Sequence, residues 1–217
     1  MQKIKPLHDI GVVEQVQNRD IGNMFYEIPV PNFEKIKTHV LQNFNTFYPW
    51  NDDEPGYSGY GLTHDPEYPV EPPRQVLGPV SGLFDEYQKS ERFCHFTCDD
   101  SKILFDLVGL PYTPIRSRIA VIDGGAVNSR SAWHIDEPLM KCLRVNIPIV
   151  TNPCFHLQTE TMQVTPREGY SYIWDTSKLH RAYCSKKNDI QRINLVLGFI
   201  PTQDESWCKE AVTALIP

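Results

Sequence analysis

Two histidines and one aspartate in the second half of the chain could together bind a metal ion. His134 and Asp136 belong to the run Trp-His-Ile-Asp, and His180 follows in the run Lys-Leu-His-Arg-Ala-Tyr. Side chains two residues apart on a β-strand share a face, so His134 and Asp136 can approach one ion. His180 can add a third ligand once the sheet folds back. Two imidazoles and one carboxylate leave coordination positions open, an arrangement typical of non-haem iron(II) sites.

Two arginines near these residues lie in strand-like runs with the same pattern. Arg144 stands in Cys-Leu-Arg-Val-Asn-Ile-Pro-Ile and Arg192 in Gln-Arg-Ile-Asn-Leu-Val-Leu-Gly-Phe. Strand alternation places Arg144 and Asn146 on one face and the aliphatic side chains on the other, and it does the same for Arg192 and Asn194. An arginine among aliphatic residues is costly to bury unless it meets an anion. A solvated polar face on edge strands is the alternative, but two matching strands beside a ligand set favour an anion-lined interior.

A lone His-x-Asp pair is weak evidence for a metal site, because it is more often incidental. The downstream histidine, and an arginine twelve residues beyond it, make the pattern considerably stronger. The interpretation is therefore a metal ion with an anion-binding arginine beside it.

The second half of the chain changes from helical to strand periodicity at about residue 115. Turn signals such as Asp123-Gly124-Gly125 and Asn152-Pro153 separate short β-prone runs. These runs predict strands at 115–122, 132–135, 141–150, 155–157, 162–165, 170–174, 180–184 and 191–200. So many short strands predict a mainly β fold with flanking helices, built as a jelly-roll or small barrel.

The first half supplies elements that would cover one face of this barrel. A strand is predicted at 24–30 and helices at 33–44 and 101–110, the first after Asn32 and the second ended by Gly109 and Pro111. Residues 45–90 are rich in proline and aromatic residues, which favours an ordered loop over the site mouth with a possible edge strand at 58–63. A last helix is expected at 204–217. We expect one domain over residues 1–217, with residues 1–110 packed against a barrel core at 115–200.

Composition excludes several classes of function. The chain has 217 residues and a net charge of −6, which disfavours a nucleic-acid partner. No apolar run is long enough to span a membrane and the N-terminal sequence lacks the apolar core of a signal peptide, so a cytoplasmic protein is expected. The six cysteines show no disulfide spacing, which suits free thiols. Cys94, His95 and Cys98 could form part of a zinc site, but no second pair with matching spacing follows.

Taken together, these motifs resemble the iron(II)- and 2-oxoglutarate-dependent oxygenases of the double-stranded β-helix fold, over roughly residues 115–200. Within that superfamily the chain most resembles the aspartyl/asparaginyl β-hydroxylase group, which includes free-proline hydroxylases. It departs from the animal aspartyl hydroxylase, which has glycine where this chain has Asp136. Several relatives carry histidine where this chain has Asn146.

The resemblance implies iron(II), 2-oxoglutarate and O2 as cofactors. His134, Asp136 and His180 would bind the metal, and Arg192 would pair with the distal carboxylate of 2-oxoglutarate. Arg144 would contact the cosubstrate near the metal, and Asn146 is predicted as a third cosubstrate-binding residue. The implied reaction hydroxylates a prime substrate while 2-oxoglutarate is converted to succinate and carbon dioxide.

Other residues near the motifs have open roles. Trp133 and Trp174 could wall the pocket or belong to the core, and Asp175, Thr176 and Ser177 could orient a ligand residue. His95 and His156 are interpreted as structural.

Two other functions stay open at this point. One is a cupin-like metal enzyme that does not use 2-oxoglutarate, and the other is a non-catalytic binding module on the same fold. The sequence leaves the prime substrate open between a free amino acid, a peptide side chain and another small metabolite. It does not indicate the oligomeric state.

Overall fold

The computed structural model describes residues 25–51, 56–64, 95–110, 113–124, 131, 133–136 and 142–199. The predicted helix at 204–217, Cys94 and most of the proline-rich segment lie outside these residues. Among the described residues, no helix has the length and apolar character that crossing a membrane requires.

Strands dominate the described chain, and two helices accompany them. In chain order the elements are β1 (Phe25–Pro29), α1 (Phe33–Gln42), β2 (Tyr48–Asn51), β3 (Tyr57–Gly61), β4 (Thr63–His64), β5 (His95–Phe96), α2 (Asp99–Val108), β6 (Arg118–Ile122), β7 (Leu143–Val150), β8 (Phe155–Thr159), β9 (Gln163–Val164), β10 (Tyr170–Trp174), β11 (His180–Cys184) and β12 (Arg192–Phe199). This agrees with the mainly β prediction with flanking helices.

Seven strands form one antiparallel sheet in the order β1-β10-β7-β12-β6-β3-β2. A second sheet has the order β11-β8-β9, and a backbone bridge between His134 and His180 extends it. The two sheets enclose a cavity, because residues of β7 and β12 and residues of β8 and β11 line it together. The predicted double-stranded β-helix fold is confirmed.

The alternation in β7 and β12 separates the core from the cavity. The aliphatic side chains that the sequence assigns to one face, such as Val145 and Leu197, are fully buried in the main core cluster. Helices α1 and α2 close this core with residues such as Ile36 and Leu104. The opposite face carries Arg144 and the other polar residues into the cavity. The sheet is therefore buried on both sides, and the polar face is not a solvated edge.

Proline is tolerated in β7 because the pairing with β12 is irregular. Pro148 lies opposite Asn194, and the register shifts between Ile193 and Asn194. A proline cannot donate to a ladder, so within sheets it is confined to edges and irregular positions. The bulge-like shift agrees with that rule.

Some predicted elements are corrected by the structure. The segment predicted as an edge strand at 58–63 is β3, which pairs with β2 on one side and β6 on the other. The strand predicted at 132–135 is reduced, among the described residues there, to the single bridge of His134. The predicted strand at 115–122 begins only at Arg118.

Both helices differ from their predicted bounds by a few residues. Helix α1 ends at Gln42, and Asn32 precedes it in a left-handed conformation without a side-chain cap. Helix α2 begins at Asp99 after Cys98, and it ends before Gly109, whose φ of 71° suits glycine. The predicted stop at Gly109 is thus confirmed.

Candidate metal centre and anion pocket

The structure brings His134, Asp136 and His180 together at the cavity. One ligand atom from each residue can be chosen so that all lie within 4.8 Å of one another. Asp136 Oδ2 lies 3.9 Å from His134 Nε2 and 3.7 Å from His180 Nε2. Among the described residues, this is the only cluster of histidine, cysteine, aspartate or glutamate that could hold a metal ion.

Backbone hydrogen bonds hold the three ligand candidates in register. The amides of His134 and His180 each donate to the carbonyl of the other residue at 3.0 Å. Asp136 donates its backbone amide to the carbonyl of Thr176 at 2.9 Å. The short segment 134–136 is therefore fastened to His180 and to Thr176, four residues before it, which explains how a distant histidine meets the His-x-Asp pair.

The ring of His180 is oriented by a second contact. Its Nδ1 lies 2.8 Å from the carbonyl of Lys178, a distance at which an Nδ1–H donates to that oxygen. This tautomer leaves the lone pair of Nε2, which lies near Asp136, able to ligate a metal ion. The ring also meets Trp174 edge-on, with 5.8 Å between the ring centroids.

Asp136 is kept ionised by the charges around it. Burial by itself raises the pKa of the carboxyl, but the nearby Arg144, His180, Arg118 and His134 together hold it well below its usual value. Arg144 Nε lies 3.6 Å from Asp136 Oδ2, and the Arg144 side chain is fully buried. The carboxylate is thus available as an anionic ligand at neutral pH.

Arg192 lies buried at another part of the same cavity. The residue is 2% exposed, and its Nε and Nη2 have no hydrogen-bond partner within the described part of the chain. Burial lowers its pKa to about 10, although Tyr57 opposes that effect. A buried guanidinium with unsatisfied donors is costly unless an anion binds there. The geometry therefore favours an anionic ligand at Arg192.

Two asparagines link the strands that carry the arginines. Asn194 Nδ2 donates to Asn146 Oδ1 at 3.0 Å, and both residues are buried in the cavity wall. Asn194 Oδ1 is buried without a hydrogen-bond partner among the described residues. Asn146 therefore faces the cavity as expected, and its contact is with the opposite strand.

The cavity has a volume of about 450 Å³, including the part that opens to solvent. It contains all six residues singled out in the sequence, namely His134, Asp136, Arg144, Asn146, His180 and Arg192. Tyr57 and Arg118 also line it, although the sequence analysis did not single them out. Within the strand predicted at 115–122, alternation could have placed Arg118 on the face opposite the core residues Ile119 and Val121.

The two tryptophans beside the ligand candidates have different environments. Trp174 is 6% exposed and lines the cavity, whereas Trp133 is 40% exposed. Trp133 stacks on the guanidinium of Arg181, which lies 4.6 Å from the ring centroid, and Tyr183 stacks on the same guanidinium. Trp174 is therefore a wall residue, while Trp133 belongs to the rim.

The segment after Trp174 contacts the metal-ligand candidate Asp136 through a backbone carbonyl. Asp175 accepts hydrogen bonds from the amide and hydroxyl of Ser177, so its carboxylate stabilises the local turn. Thr176 orients Asp136 through its carbonyl, as described above. Of these three residues, Thr176 has the contact that the sequence analysis anticipated.

Histidines and cysteines outside the site have structural contacts. The ring nitrogens of His156 lie 3.0 Å from the hydroxyls of Thr165 and Ser185, which agrees with its interpretation as structural. His95 pairs with His64 in a two-stranded sheet. All cysteines in the described part of the chain are free thiols: Cys98, Cys142, Cys154 and Cys184.

No family model and no curated protein matches the sequence. Solved structures with a similar fold include a prolyl hydroxylase from Trichoplax adhaerens in complex with a hypoxia inducible factor peptide fragment. It is 13% identical, with a TM-score of 0.45, covering 92% of this chain and 96% of that one. Another is an oxidoreductase of the 2OG-Fe(II) oxygenase family from Burkholderia pseudomallei, which is 12% identical with a TM-score of 0.49 and 90% coverage of both chains.

A third similar structure is HygX from Streptomyces hygroscopicus with nickel, 2-oxoglutarate and hygromycin B bound. It is 12% identical with a TM-score of 0.47, covering 88% of this chain and 87% of that one. Likenesses at this level concern the path of the chain and assign no residue role or activity to this protein. The narrower resemblance to the aspartyl/asparaginyl β-hydroxylase group stays a prediction.

Proposed function

We propose that this protein is an iron(II)- and 2-oxoglutarate-dependent oxygenase that hydroxylates an amino acid, a peptide side chain or a small metabolite. One observation carries the proposal: a convergent His134, Asp136 and His180 set shares a cavity with the buried, unsatisfied guanidinium of Arg192. The first feature fits a metal with open positions. The second fits the far carboxylate of a dicarboxylic cosubstrate.

The donor set matches iron(II) in both ligand type and number. Two imidazole nitrogens and one carboxylate oxygen leave coordination positions for a bidentate keto acid and for O2. When bound, iron(II) with 2-oxoglutarate and O2 supplies the oxidation, with release of succinate and carbon dioxide. The part of this chain is to hold these groups in the correct geometry.

Each residue of the site has a distinct part in that geometry. Arg144 helps to keep Asp136 ionised through the contact of its Nε with Asp136 Oδ2. The carbonyl of Lys178 holds His180 in the tautomer that can ligate. Arg192 would donate Nε–H and Nη2–H to the distal carboxylate, which would compensate its burial. Asn146 would border the cosubstrate between these two ends.

The competing functions explain less of the structure. A metal enzyme that does not use 2-oxoglutarate has no need for a buried, unsatisfied guanidinium in the same cavity as the metal set. A non-catalytic module would have no need to retain three convergent ligands. A cytoplasmic location and a single-domain organisation stay predictions beside this proposal.

Metal stoichiometry and cosubstrate turnover test the proposal together. Purified protein is loaded anaerobically with iron(II) and the bound metal is counted, with one ion per chain expected. On admission of O2, slow conversion of 2-oxoglutarate to succinate is expected even without a prime substrate. His180→Ala should lose both signals, because one of three ligands is removed. The matched control His156→Ala replaces a histidine outside the cavity and should retain metal binding.

Either of two outcomes would refute the proposal. One is iron binding of equal strength in the His180→Ala variant. The other is stoichiometric iron with no 2-oxoglutarate binding at millimolar cosubstrate.

A further inference from the structure

Arg118 is a cation of the cavity that the proposed function does not use. It is the first residue of β6 and partly buried, and it lines the same cavity as His134 and Asp136. Its Nε is buried and has no hydrogen-bond partner within the described part of the chain. A guanidinium whose buried donor is unsatisfied carries an energetic cost that a bound anion would offset.

The other arginines of the cavity already have contacts or an assigned ligand. Arg144 is 3.6 Å from the carboxylate of Asp136. Arg181 donates from Nε to Gln158 Oε1 at 2.9 Å and lies between two aromatic rings. Arg192 is assigned to the distal carboxylate of the cosubstrate.

The net positive charge of the cavity also favours the binding of another anion. Among its described lining residues there are four arginines and one carboxylate, that of Asp136. A doubly charged metal and a doubly charged cosubstrate add no net charge together. With all of these in place the cavity is still strongly positive, so it would attract a further anionic group.

Strand register separates Arg118 from Arg192. Arg192 pairs with Ile122 and Val196 pairs with Arg118, so the two arginines are four residues apart along the β6 and β12 ladder. At about 3.3 Å for each residue, their backbones are about 13 Å apart along the strands. Arg144 pairs with Gly198, two residues beyond Val196 on the same strand. Arg118 therefore lies towards the metal end of the cavity, and Arg192 towards the other end.

We propose that the prime substrate carries an anionic oxygen group, a carboxylate or a phosphate, and that Arg118 binds it beside the metal set. The Nε–H and Nη–H groups of arginine form a fork that matches two such oxygens. Arg118 is thus a specificity residue that holds the substrate by its anion, with the carbon to be oxidised within reach of the metal. This inference rests on the proposed function.

Small anions test the Arg118 site without knowledge of the substrate. Protein loaded with zinc, a redox-silent stand-in, and with 2-oxoglutarate is titrated with trifluoroacetate followed by 19F NMR, and separately with inorganic phosphate followed by 31P NMR. At least one anion should bind saturably, and Arg118→Gln should weaken it about tenfold or more. Arg118→Lys should restore part of the affinity, and trifluoroethanol, a neutral analogue, should not bind.

A matched control and a second readout make the outcomes distinct. Arg181→Gln removes a cavity arginine that already has partners, so it should weaken anion binding by a much smaller factor than Arg118→Gln does. Binding of 2-oxoglutarate is followed in the same samples by thermal shift. Arg118→Gln should weaken the probe anion by a larger factor than it weakens 2-oxoglutarate.

Three results would overturn the assignment of Arg118: no saturable binding of either anion, equal binding in Arg118→Gln, or an equal loss of 2-oxoglutarate affinity. The last would mean that Arg118 contacts the cosubstrate. Absence of any 2-oxoglutarate shift in the wild type would instead refute the proposed function, while the anion titration would still report on Arg118.

Discussion

Replacing Arg192 by methionine should leave the protein without ligands at least as stable as the wild type, while it removes the response to 2-oxoglutarate. The reason is burial, which lowers the pKa of Arg192 to about 10. A pKa that is lowered by roughly two to three, at about 1.4 kcal/mol for each pKa unit, penalises the buried charge by about 3–4 kcal/mol. Methionine has a comparable length and no charge, so the variant should gain up to about 3 kcal/mol in the free energy of unfolding.

The cosubstrate should reverse this order of stability. At a concentration 100 times its dissociation constant, a ligand stabilises the folded state by about 2.7 kcal/mol. Two charge-assisted hydrogen bonds from Nε and Nη2 would contribute about 3 kcal/mol or more, so their loss should weaken binding by a hundredfold or more. At the same concentration the variant should gain less than about 0.5 kcal/mol.

Urea unfolding with zinc, at zero and saturating 2-oxoglutarate, measures both effects. Arg181→Met is the matched control, because this arginine lies on the rim with its own partners, and it should keep the full cosubstrate effect. A loss of more than about 1 kcal/mol in ligand-free Arg192→Met would show that Arg192 is satisfied in the free protein. A retained cosubstrate effect in that variant would show that 2-oxoglutarate binds elsewhere.

Three further predictions follow from the same structure. Asp136→Asn should lose metal binding in equilibrium dialysis. The folded state lowers the pKa of Asp136, so its stabilising pair with Arg144 is fully present above about pH 4 and is lost as the pH falls further. The difference in the free energy of unfolding between the variant and the wild type, measured in urea, should therefore shrink only below about pH 4. A difference that shrinks between pH 7 and 5 would contradict this. Gly198→Ala should lower the free energy of unfolding in urea by about 2 kcal/mol or more, because an added Cβ would lie 2.2 Å from the carbonyl oxygen of Ile115. An unchanged unfolding midpoint would refute this close packing. Leu197→Ala should lower the free energy of unfolding by about 2–5 kcal/mol, because the fully buried Leu197 side chain packs in the core. The variant should still bind one metal ion per chain, since this side chain is on the core face of β12. Loss of metal binding in the folded variant would contradict that separation.

The parts of the site that could be predicted from the sequence are those that depend on local patterns of residues. The alternation in β7 and β12 required only neighbouring residues, so the orientation of Arg144 and Arg192 into the interior followed from the period of a strand. The His-x-Asp pair was identified by the same rule. His180 was identified only by residue type and by the resemblance, and its contact with His134 depends on a bridge between distant segments.

Features that depend on sheet neighbours could not be predicted from the sequence. Strand β2 contains Pro49 and looked like part of a loop, but an edge strand tolerates proline. Its pairing with β3 puts β3 inside the sheet, and the pairing of β3 with β6 places Tyr57 opposite Ile122, where it lines the cavity. Strand alternation puts Arg118 on the face opposite Ile119 and Val121, but only the order of β6 beside β12 brings that face to the site. Which strands become neighbours in a sheet depends on the fold of the whole chain, and no local periodicity of the sequence encodes it.

The central claim is that this chain holds iron(II) and 2-oxoglutarate together in one cavity. Its most direct test is the visible metal-to-ligand charge-transfer band that forms when a keto acid chelates iron(II). Iron(II) is added anaerobically to the protein, and 2-oxoglutarate follows. We expect the band to appear with saturable dependence on 2-oxoglutarate in the wild type, and to require a far higher concentration in Arg192→Met. Bound iron with no band at any cosubstrate concentration would contradict the claim.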